Sequence, residues 1–263
     1  MRIYPGILGL SFLVIPLLLT AGCATMESDA QRDTRAYFDR GEVYSAKGQY
    51  DQAIAEFTKA AEISPRLPEI YNNRGLTYQA KGQYDQALSD FNKALGACPT
   101  LPKMTDLGGQ ITVAESRSLI LGQMHAPKFS SFLMSDRLLE LNQKFALSCV
   151  NRGNLYYQKA QYDPAIADFS KALEINPKWA EVYENRGVAY YYKGQYDQAL
   201  SDYNKALEIS PKFAPSYSNR GRLYFLKKEY DKAWEDVHEA QGLGYKLEPK
   251  FLNDLREASG RGK

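Results

Sequence analysis

Four asparagines recur at one position of a repeating sequence block, and their amides could bind another polypeptide. They are Asn73, Asn151, Asn185 and Asn219, and each directly precedes an Arg-Gly pair. An amide carries two N–H donors and a carbonyl acceptor, so a row of amides can pair with an extended peptide backbone without reading its sequence. These positions are expected at the surface. The alternative is that asparagine is simply a common surface residue at this place in the block.

Aromatic side chains accompany the last three of these amides. The rings belong to Tyr157, Tyr191, Tyr192 and Phe225, and further polar groups come from Asn154 and Arg222. An aromatic, amide-lined surface suits a partner with apolar side chains and an extended backbone. The alternative is that the rings pack within their own repeats.

The element that must position these side chains is a 34-residue block that occurs five times. Its copies span residues 34–67, 68–101, 146–179, 180–213 and 214–247. Self-similarity at this period indicates a solenoid, and apolar residues at i, i+4 and i+7 predict two short helices in each copy. Asp197 could cap the second helix of the fourth copy. Pro164 stands near the start of the equivalent helix in the third copy, where proline is tolerated.

The block resembles the tetratricopeptide repeat. With positions numbered from 1 to 34, the family pattern has Gly at 8, Tyr at 11, Ala at 20, an aromatic at 24 and Pro at 32, and Gly187 and Tyr203 illustrate the match. The fifth copy departs from it, with Val237 at 24 and Tyr245 at 32. The resemblance implies an all-α, right-handed superhelical solenoid of helix-turn-helix repeats. It also implies a concave groove lined by positions 2, 5, 6, 9, 12 and 13, which include the amides and rings above.

One function of the family is excluded by the residues at the groove. Chaperone-binding members hold a terminal carboxylate with cations at three positions where this chain has Val150, Pro215 and Asn219. A carboxylate would lack its charge partners there.

An arginine at position 7 and a carboxylate at position 23 recur in all five copies. The spacing predicts ion pairs between helices, within or between repeats. If exposed, each pair would contribute at most about 1 kcal/mol. The pairs are Arg40 with Glu56, Arg74 with Asp90, Arg152 with Asp168, Arg186 with Asp202, and Arg220 with Asp236.

The first 22 residues differ from the rest of the chain. Arg2 precedes an apolar run at 7–19, too short for a mature membrane span and typical of a signal peptide. The run ends at Ala21-Gly22-Cys23, which resembles the bacterial lipobox and implies a lipidated Cys23; Thr20 stands where the lipobox usually has leucine. The alternative is an ordinary secretory signal with Cys23 incidental. The resemblance to enteric lipoproteins implies that Ala24, in place of Asp after the cysteine, directs the protein to the periplasmic face of the outer membrane in a Gram-negative host. Residues 24–33 are predicted to form a polar tether.

Two further segments flank the repeats. Residues 102–145 break the register and are predicted to form an inserted helical pair or a decayed repeat. Their last helix, from Ser135, can continue into the third copy. Residues 248–263 are predicted to form a capping helix and tail, with Phe251, Leu252 and Leu255 on the apolar side.

Cys98 and Cys149 allow two interpretations. If the insertion loops out and its flanking repeats stack directly, a disulfide could form in an oxidising periplasm. Position 4, which Cys149 occupies, normally points into the helix packing, which favours two separate buried thiols.

The composition narrows the function. Thirty-three basic and 31 acidic residues give a net charge of +2, so the chain lacks the excess of positive charge that is typical of proteins that bind nucleic acid. His125 and His238 lie in no catalytic or metal spacing, and no nucleophile motif occurs, so we expect neither an enzyme, a cofactor, a metal nor a small-molecule substrate. The predicted function is a lipid-anchored scaffold that binds a protein segment, extended or helical, in its groove for assembly or localisation of an envelope complex. The alternative is a self-assembling structural envelope lipoprotein that oligomerises through residues 102–145.

Overall fold

The structure, a computed structural model, describes residues 28–97 and 130–261, and every regular element in those ranges is an α-helix. The chain divides into two compact units, one of which is Thr25–Ser148 and the other of which includes Cys149–Lys263. In chain order the described helices are α1 (Asp29–Ala46), α2 (Tyr50–Ile63), α3 (Pro68–Ala80), α4 (Tyr84–Ala97), α5 (Ser130–Gln158), α6 (Tyr162–Ile175), α7 (Ala180–Tyr192), α8 (Tyr196–Ile209), α9 (Ala214–Leu226), α10 (Tyr230–Gly242) and α11 (Pro249–Ala258).

Each copy of the block forms two helices joined by a tight turn, which confirms the predicted all-α repeat fold. The second helix begins at the tyrosine of position 17 in all five copies. The turn needs a left-handed residue at position 15. Gly194 supplies it in the fourth copy with φ 75°, whereas Ala160 and Lys228 adopt φ 55° and 61° in the third and fifth.

The predicted cap of the second helix is wrong. The helix begins at Tyr196, so Asp197 lies inside its first turn, and the N-cap residue Gln195 makes no side-chain cap. The Asp197 carboxylate instead accepts a hydrogen bond from Lys227 at 3.1 Å. Pro164 lies in the first turn of α6, where a proline displaces no intrahelical hydrogen bond.

A glycine at position 8 lets the two helices of a copy approach closely. A Cβ built on Gly187 would lie 2.7 Å from Tyr203 Cε1, which is closer than two non-bonded carbon atoms can approach. In the fifth copy Val237 replaces the aromatic, and the nearest atom to a Cβ on Gly221 is Asp236 Cβ at 3.2 Å. The equivalent close contacts elsewhere join Gly41 to Phe57, Gly75 to Phe91 and Gly153 to Phe169.

The arginine of position 7 connects helices both within and between repeats. Arg186 donates from Nε and Nη2 to the two carboxylate oxygens of Asp202, each at 2.8 Å. Its Nη1 donates to Ser170 Oγ of the preceding repeat at 3.0 Å. Asp202 is only 5% exposed. Loss of the arginine would therefore leave a buried charge unpaired, which costs about 3–5 kcal/mol.

The same fork recurs elsewhere in the chain. In each case the guanidinium binds its own position-23 carboxylate through two nitrogens and a position-25 side chain of the preceding repeat through the third. The other two complete sets are Arg74 with Asp90 and Thr58, and Arg220 with Asp236 and Asn204.

The C-terminal helix continues the repeat register. Exposed cations at position 14 contact the position-18 aspartate of the preceding repeat, as Lys227 does with Asp197. Arg261 contacts Asp231 at 2.7 Å with the same separation of 30 residues. Helix α11 therefore takes the place of the first helix of a sixth repeat. Its buried Leu255 stands where that repeat would have glycine.

Two predicted boundaries shift in the structure. Helix α1 begins at Asp29 behind a capping box formed by Ser28 and Gln31, so part of the predicted tether is helical. Helix α5 begins at Ser130, before the expected Ser135, and continues without a break to Gln158. Within the described ranges, no helix has the length and apolar character needed to cross a membrane.

Several predicted features lie outside the described residues. They are the signal peptide at 1–22, the lipidation site Cys23, Cys98 and residues 102–129 of the insertion. Cys149 is buried, as expected for position 4, and both interpretations of the Cys98 and Cys149 pair stay predictions.

We predict that Gly187→Ala lowers the free energy of unfolding by about 1–3 kcal/mol, because the new methyl group collides with the Tyr203 ring. Gly221→Ala is the matched control, since Val237 leaves more room opposite it. The free energy of unfolding should fall less in Gly221→Ala than in Gly187→Ala, by about 1 kcal/mol or more. Urea unfolding followed by circular dichroism measures both, and equal losses would contradict the explanation.

Candidate functional site

The amide–tyrosine face is the set of predicted groove residues on the first helices of the last three repeats. Asn73 lies on α3 in the unit Thr25–Ser148 and is not part of this face. The members are Asn151, Asn154 and Tyr157 on α5, Asn185, Tyr191 and Tyr192 on α7, and Asn219, Arg222 and Phe225 on α9.

The position-6 amides bind neighbouring repeats. Asn185 Nδ2 donates to Asn154 Oδ1 at 3.2 Å, from position 6 of one repeat to position 9 of the repeat before it. Asn219 Nδ2 donates to Glu184 Oε1 of the preceding repeat. In the other unit, Asn73 Nδ2 donates to Glu42 Oε1 at 3.0 Å. The recurrence of asparagine therefore reflects hydrogen bonds between repeats.

The expected exposure of these amides is corrected by the structure. Asn185 is 2% exposed and Asn219 is 5% exposed, and Asn151 and Asn154 are also buried. The side-chain amides of Asn185 and Asn219 each donate one N–H to a side chain of the preceding repeat. Replacing either one removes a contact between repeats, so these residues are unsuited to a test of binding alone.

Tyrosine rings form a continuous strip along the face. Tyr192 lies 5.7 Å from Tyr157 and 5.7 Å from Tyr162, measured between ring centroids, and thus joins the third and fourth repeats. The position-12 rings pack on the position-17 ring of their own repeat, as the alternative interpretation predicted. These pairs are Tyr157 with Tyr162, Tyr191 with Tyr196, and Phe225 with Tyr230.

The strip is not closed off by this packing. Tyr192 remains 43% exposed and Tyr196 remains 41% exposed. The sequence prediction did not include Tyr162 and Tyr196. A signal for them was present, because position 17 is tyrosine in every copy. In the first two repeats position 12 is Ser45 or Gln79. The ring contacts of the strip join the third and fourth repeats, and Phe225 with Tyr230 forms a separate pair in the fifth.

Two predicted members of the face contact the C-terminal helix. Arg222 Nη2 lies 3.1 Å from Glu248 Oε2, and its guanidinium carbon lies 4.6 Å from the centroid of the Phe251 ring. Phe225 packs edge-on against Phe251, with ring centroids 5.9 Å apart. Both side chains therefore hold α11 on the fifth repeat, and a partner would compete with that helix for them.

Glu184 is the residue of this face that the sequence prediction missed. It lies at position 5 of α7, is completely buried, and accepts a hydrogen bond at Oε1 from Asn219. Its other oxygen, Oε2, has no hydrogen-bond partner. Burial raises the pKa of Glu184 to about 8, against the opposing effect of the Asn219 hydrogen bond. A carboxyl in this state can be neutral or charged near neutral pH.

Two further polar atoms near Glu184 lack partners. They are Oδ1 of Asn185 and the hydroxyl of Tyr203, both buried. Burial, with a contribution from the Glu184 charge, raises the pKa of Tyr203 well above its ordinary value. Buried polar atoms without partners are uncommon in folded proteins.

The described residues contain no group of three or more histidine, cysteine, aspartate or glutamate side chains that could hold a metal ion. His238 packs beside Trp234 with ring centroids 5.7 Å apart. His125 lies outside the described residues.

We predict that stability falls as pH rises through the pKa of Glu184. In the unfolded chain this carboxyl titrates at about 4.3, whereas in the folded chain it holds its proton to about 8. Between these values the folded state binds more protons, so raising the pH favours unfolding. Glu184→Gln should remove this loss and exceed the wild type in melting temperature at about pH 9.

Thermal unfolding between about pH 5 and pH 9 measures the effect. The exposed Glu174, replaced by Gln, is the control and should keep the wild-type profile. A wild type whose melting temperature rises over this interval would contradict the assignment.

Comparison with protein-family models found matches to the same repeat in both units. A model described as "TPR repeat" matches residues 41–82 and 153–194. Models described as "Tetratricopeptide repeat" match residues 68–101, 180–213 and 202–235. Together these matches cover more than half of the chain. Among curated protein sequences, none matches the chain.

Solved structures of low sequence identity share the fold. The structure titled "Functional Characterization of Pseudomonas Aeruginosa pilF" matches with a TM-score of 0.63 and 18% identity, over 89% of this chain and 87% of that one. MamA from Desulfovibrio magneticus RS-1 matches with a TM-score of 0.60 and 16% identity, over 83% and 97%. YrrB, described as a TPR protein with an unusual peptide-binding site, matches with a TM-score of 0.55 and 20% identity, over 87% and 93%.

Proposed function

Because the chain is a tetratricopeptide repeat protein, we propose that it is a non-enzymatic, lipid-anchored scaffold that binds a protein segment on the amide–tyrosine face. The binding would serve the assembly or localisation of an envelope complex. The repeat fold supports interaction with a protein or peptide. Beyond this general role, we propose which face binds the partner, that a lipid anchors the chain, and that the complex belongs to the cell envelope.

The half-exposed tyrosine strip is the observation that carries the proposal. Tyrosine and tryptophan dominate the binding energy of many interfaces because they bury a large rigid area and keep a polar group. Tyr192 and Tyr196 each leave about two-fifths of their surface exposed, in a row with Tyr157, Tyr162 and Tyr191. A contiguous row of this kind favours a binding surface over chance exposure.

The comparisons agree with a peptide-like partner. YrrB is described as having a peptide-binding site, and this chain shares its fold. The strip joins two neighbouring repeats, so a partner segment, extended or helical, would lie across both.

The anchor is inferred from the N-terminal sequence. An apolar run that ends in Ala21-Gly22-Cys23 is typical of a lipoprotein signal, and Ala24 after it favours the outer membrane. More than one acyl chain on Cys23 would give stable membrane attachment. The scaffold would then act at the periplasmic face of that membrane.

We predict that Tyr192→Ala weakens capture of partner proteins from envelope membranes by about tenfold, as expected for an aromatic anchor worth more than 1 kcal/mol. Tyr84→Ala is the control, because Tyr84 is equally exposed at 43% but lies on α4, which contributes no residue to the strip. Quantitative crosslinking and mass spectrometry measure the captured proteins.

Equal capture by both variants would move the binding site elsewhere. Recovery of only the chain itself, with oligomers seen by light scattering, would support the self-assembling structural role over the scaffold.

We predict that Cys23→Ala abolishes fatty-acid labelling and releases the protein into the soluble periplasmic fraction, because the acyl chains attach to that sulfur. Metabolic labelling with a palmitate analogue, followed by fractionation, tests this. Wild-type protein found in the soluble fraction would contradict the lipid anchor. Labelling that persists in Cys23→Ala would also contradict it.

A further inference from the structure

We propose that one face of helix α1 is a docking surface for an amphipathic helix of another protein, a helix that carries a carboxylate and, two turns later, a hydroxyl or amide side chain. We call this surface the α1 face. It consists of Ala36, Arg40, Val43 and Lys47, at positions 3, 7, 10 and 14 of the first copy. It shares no residue with the amide–tyrosine face, so the inference is independent of the proposed function.

The α1 face exposes apolar surface at a position that the other copies bury. Val43 is 51% exposed, whereas the residues at position 10 of the other four copies are at most 1% exposed. Those residues are Thr77, Leu155, Ala189 and Leu223. The terminal repeat of a solenoid needs a polar outer face to stay soluble. The exposed valine therefore favours a surface that another helix covers.

The junction of the fourth and fifth copies shows what position 10 packs against. Leu223, the fifth copy's equivalent of Val43, lies in one core cluster with Ala199 and Tyr203 of α8. Helix α8 is the second helix of the preceding copy. The apolar part of the α1 face is therefore suited to a helix of that kind.

Two polar contacts flank the leucine at the same junction. Arg220 Nη1 donates to Asn204 Oδ1 at 2.7 Å, and Lys227 Nζ donates to Asp197 Oδ1 at 3.1 Å. The two contact points are seven residues apart on each helix, or about 10 Å. Because the later cation meets the earlier acceptor, the two helices are antiparallel. This arrangement defines the carboxylate and the amide that the partner helix must carry.

The equivalent cations of the α1 face have no such contacts. Arg40 donates from Nε to Glu56 Oε2 at 2.6 Å, and its Nη1 and Nη2 make no hydrogen bond within the described ranges. Lys47 forms no ion pair with any residue that the structure describes. Both cations therefore keep donors available for a partner.

The α1 face also contains a shallow depression of about 250 Å³. Its lining residues are Asp39, Arg40, Val43, Tyr44 and Lys47. Two of these side chains are cationic and one is anionic, so the excess charge is positive. A helix that brings a carboxylate complements this charge.

A second copy of this chain fits the face less well than another protein does. It would have to offer a second helix whose outer side is not in use. Helices α2, α6 and α8 each pack against the first helix of the following copy, and α10 packs against α11. On α4, the side chains at positions 18 and 25, Asp85 and Asn92, also have partners.

The probe is a fluorescent peptide with the sequence of residues 196–213, which contains α8. A side-chain bridge that leaves Asp197 and Asn204 unchanged holds it helical, because an isolated helix of this length is marginal in water. Binding to the purified full chain is followed by fluorescence anisotropy. We expect Val43→Glu to weaken binding about tenfold or more, because a charge replaces the apolar contact. Leu226→Glu is the matched control, since Leu226 is 46% exposed and lies on α9.

A charge exchange tests the predicted antiparallel orientation. The peptide with Asp197→Lys should bind the wild type about tenfold more weakly than the original peptide, because its new lysine meets Lys47. The chain variant Lys47→Asp should restore binding of this exchanged peptide and weaken binding of the original one. Circular dichroism of each variant establishes that it is folded.

Four results would overturn the inference. The first is a wild type that does not bind the peptide. The second is an equal effect of Val43→Glu and Leu226→Glu. The third is failure of Lys47→Asp to restore binding of the exchanged peptide. The fourth is a wild-type dimer, seen by light scattering, that Val43→Glu dissociates, because a second copy would then occupy the face. Capture that depends on Tyr192 is judged separately and would stand in each case.

Discussion

The three-way contact of the position-7 arginine holds both levels of the structure together. A guanidinium is planar and presents its donors in a fixed fork. Two nitrogens of Arg186 bind Asp202 across the helix pair, and the third reaches Ser170 in the preceding repeat. The close approach of the paired helices, which glycine permits, brings the carboxylate within reach. A single side chain thus fixes the packing inside a repeat and its stacking on the previous one.

Much of the fold could be predicted because its determinants recur. Five copies with glycine at position 8 and an aromatic or valine at position 24 leave one consistent helix pairing, and the structure has it. The predicted cap failed for a physical reason. The helix begins at Tyr196, one residue before Asp197, and the Asp197 carboxylate pairs instead with Lys227 of the next repeat. The pattern within one repeat contains no information about that contact.

The candidate site was only partly predictable for a related reason. The amides recur because they join repeats, so recurrence drew attention to Asn185 and Asn219 although both are largely buried. Glu184 does not recur. The other copies have Phe38, Asn72, Val150 and Ser218 at its position. What a repeat protein shares between copies reports its architecture, and what one copy alone possesses is a better guide to recognition.

The leucine at the glycine position of α11 has a consequence for the history of the chain. The junctions of the third repeat with the fourth and of the fourth with the fifth use the same arginine contact, so duplication of a 34-residue unit there would create a junction that the existing side chains already fit. At α11 the same position carries Leu255, whose side chain is fully buried in the core of the fifth repeat with Val237 and Phe251. A helix paired with α11 as in the repeats would meet this leucine where the other pairs have glycine, so the array can lengthen more readily from within than beyond α11.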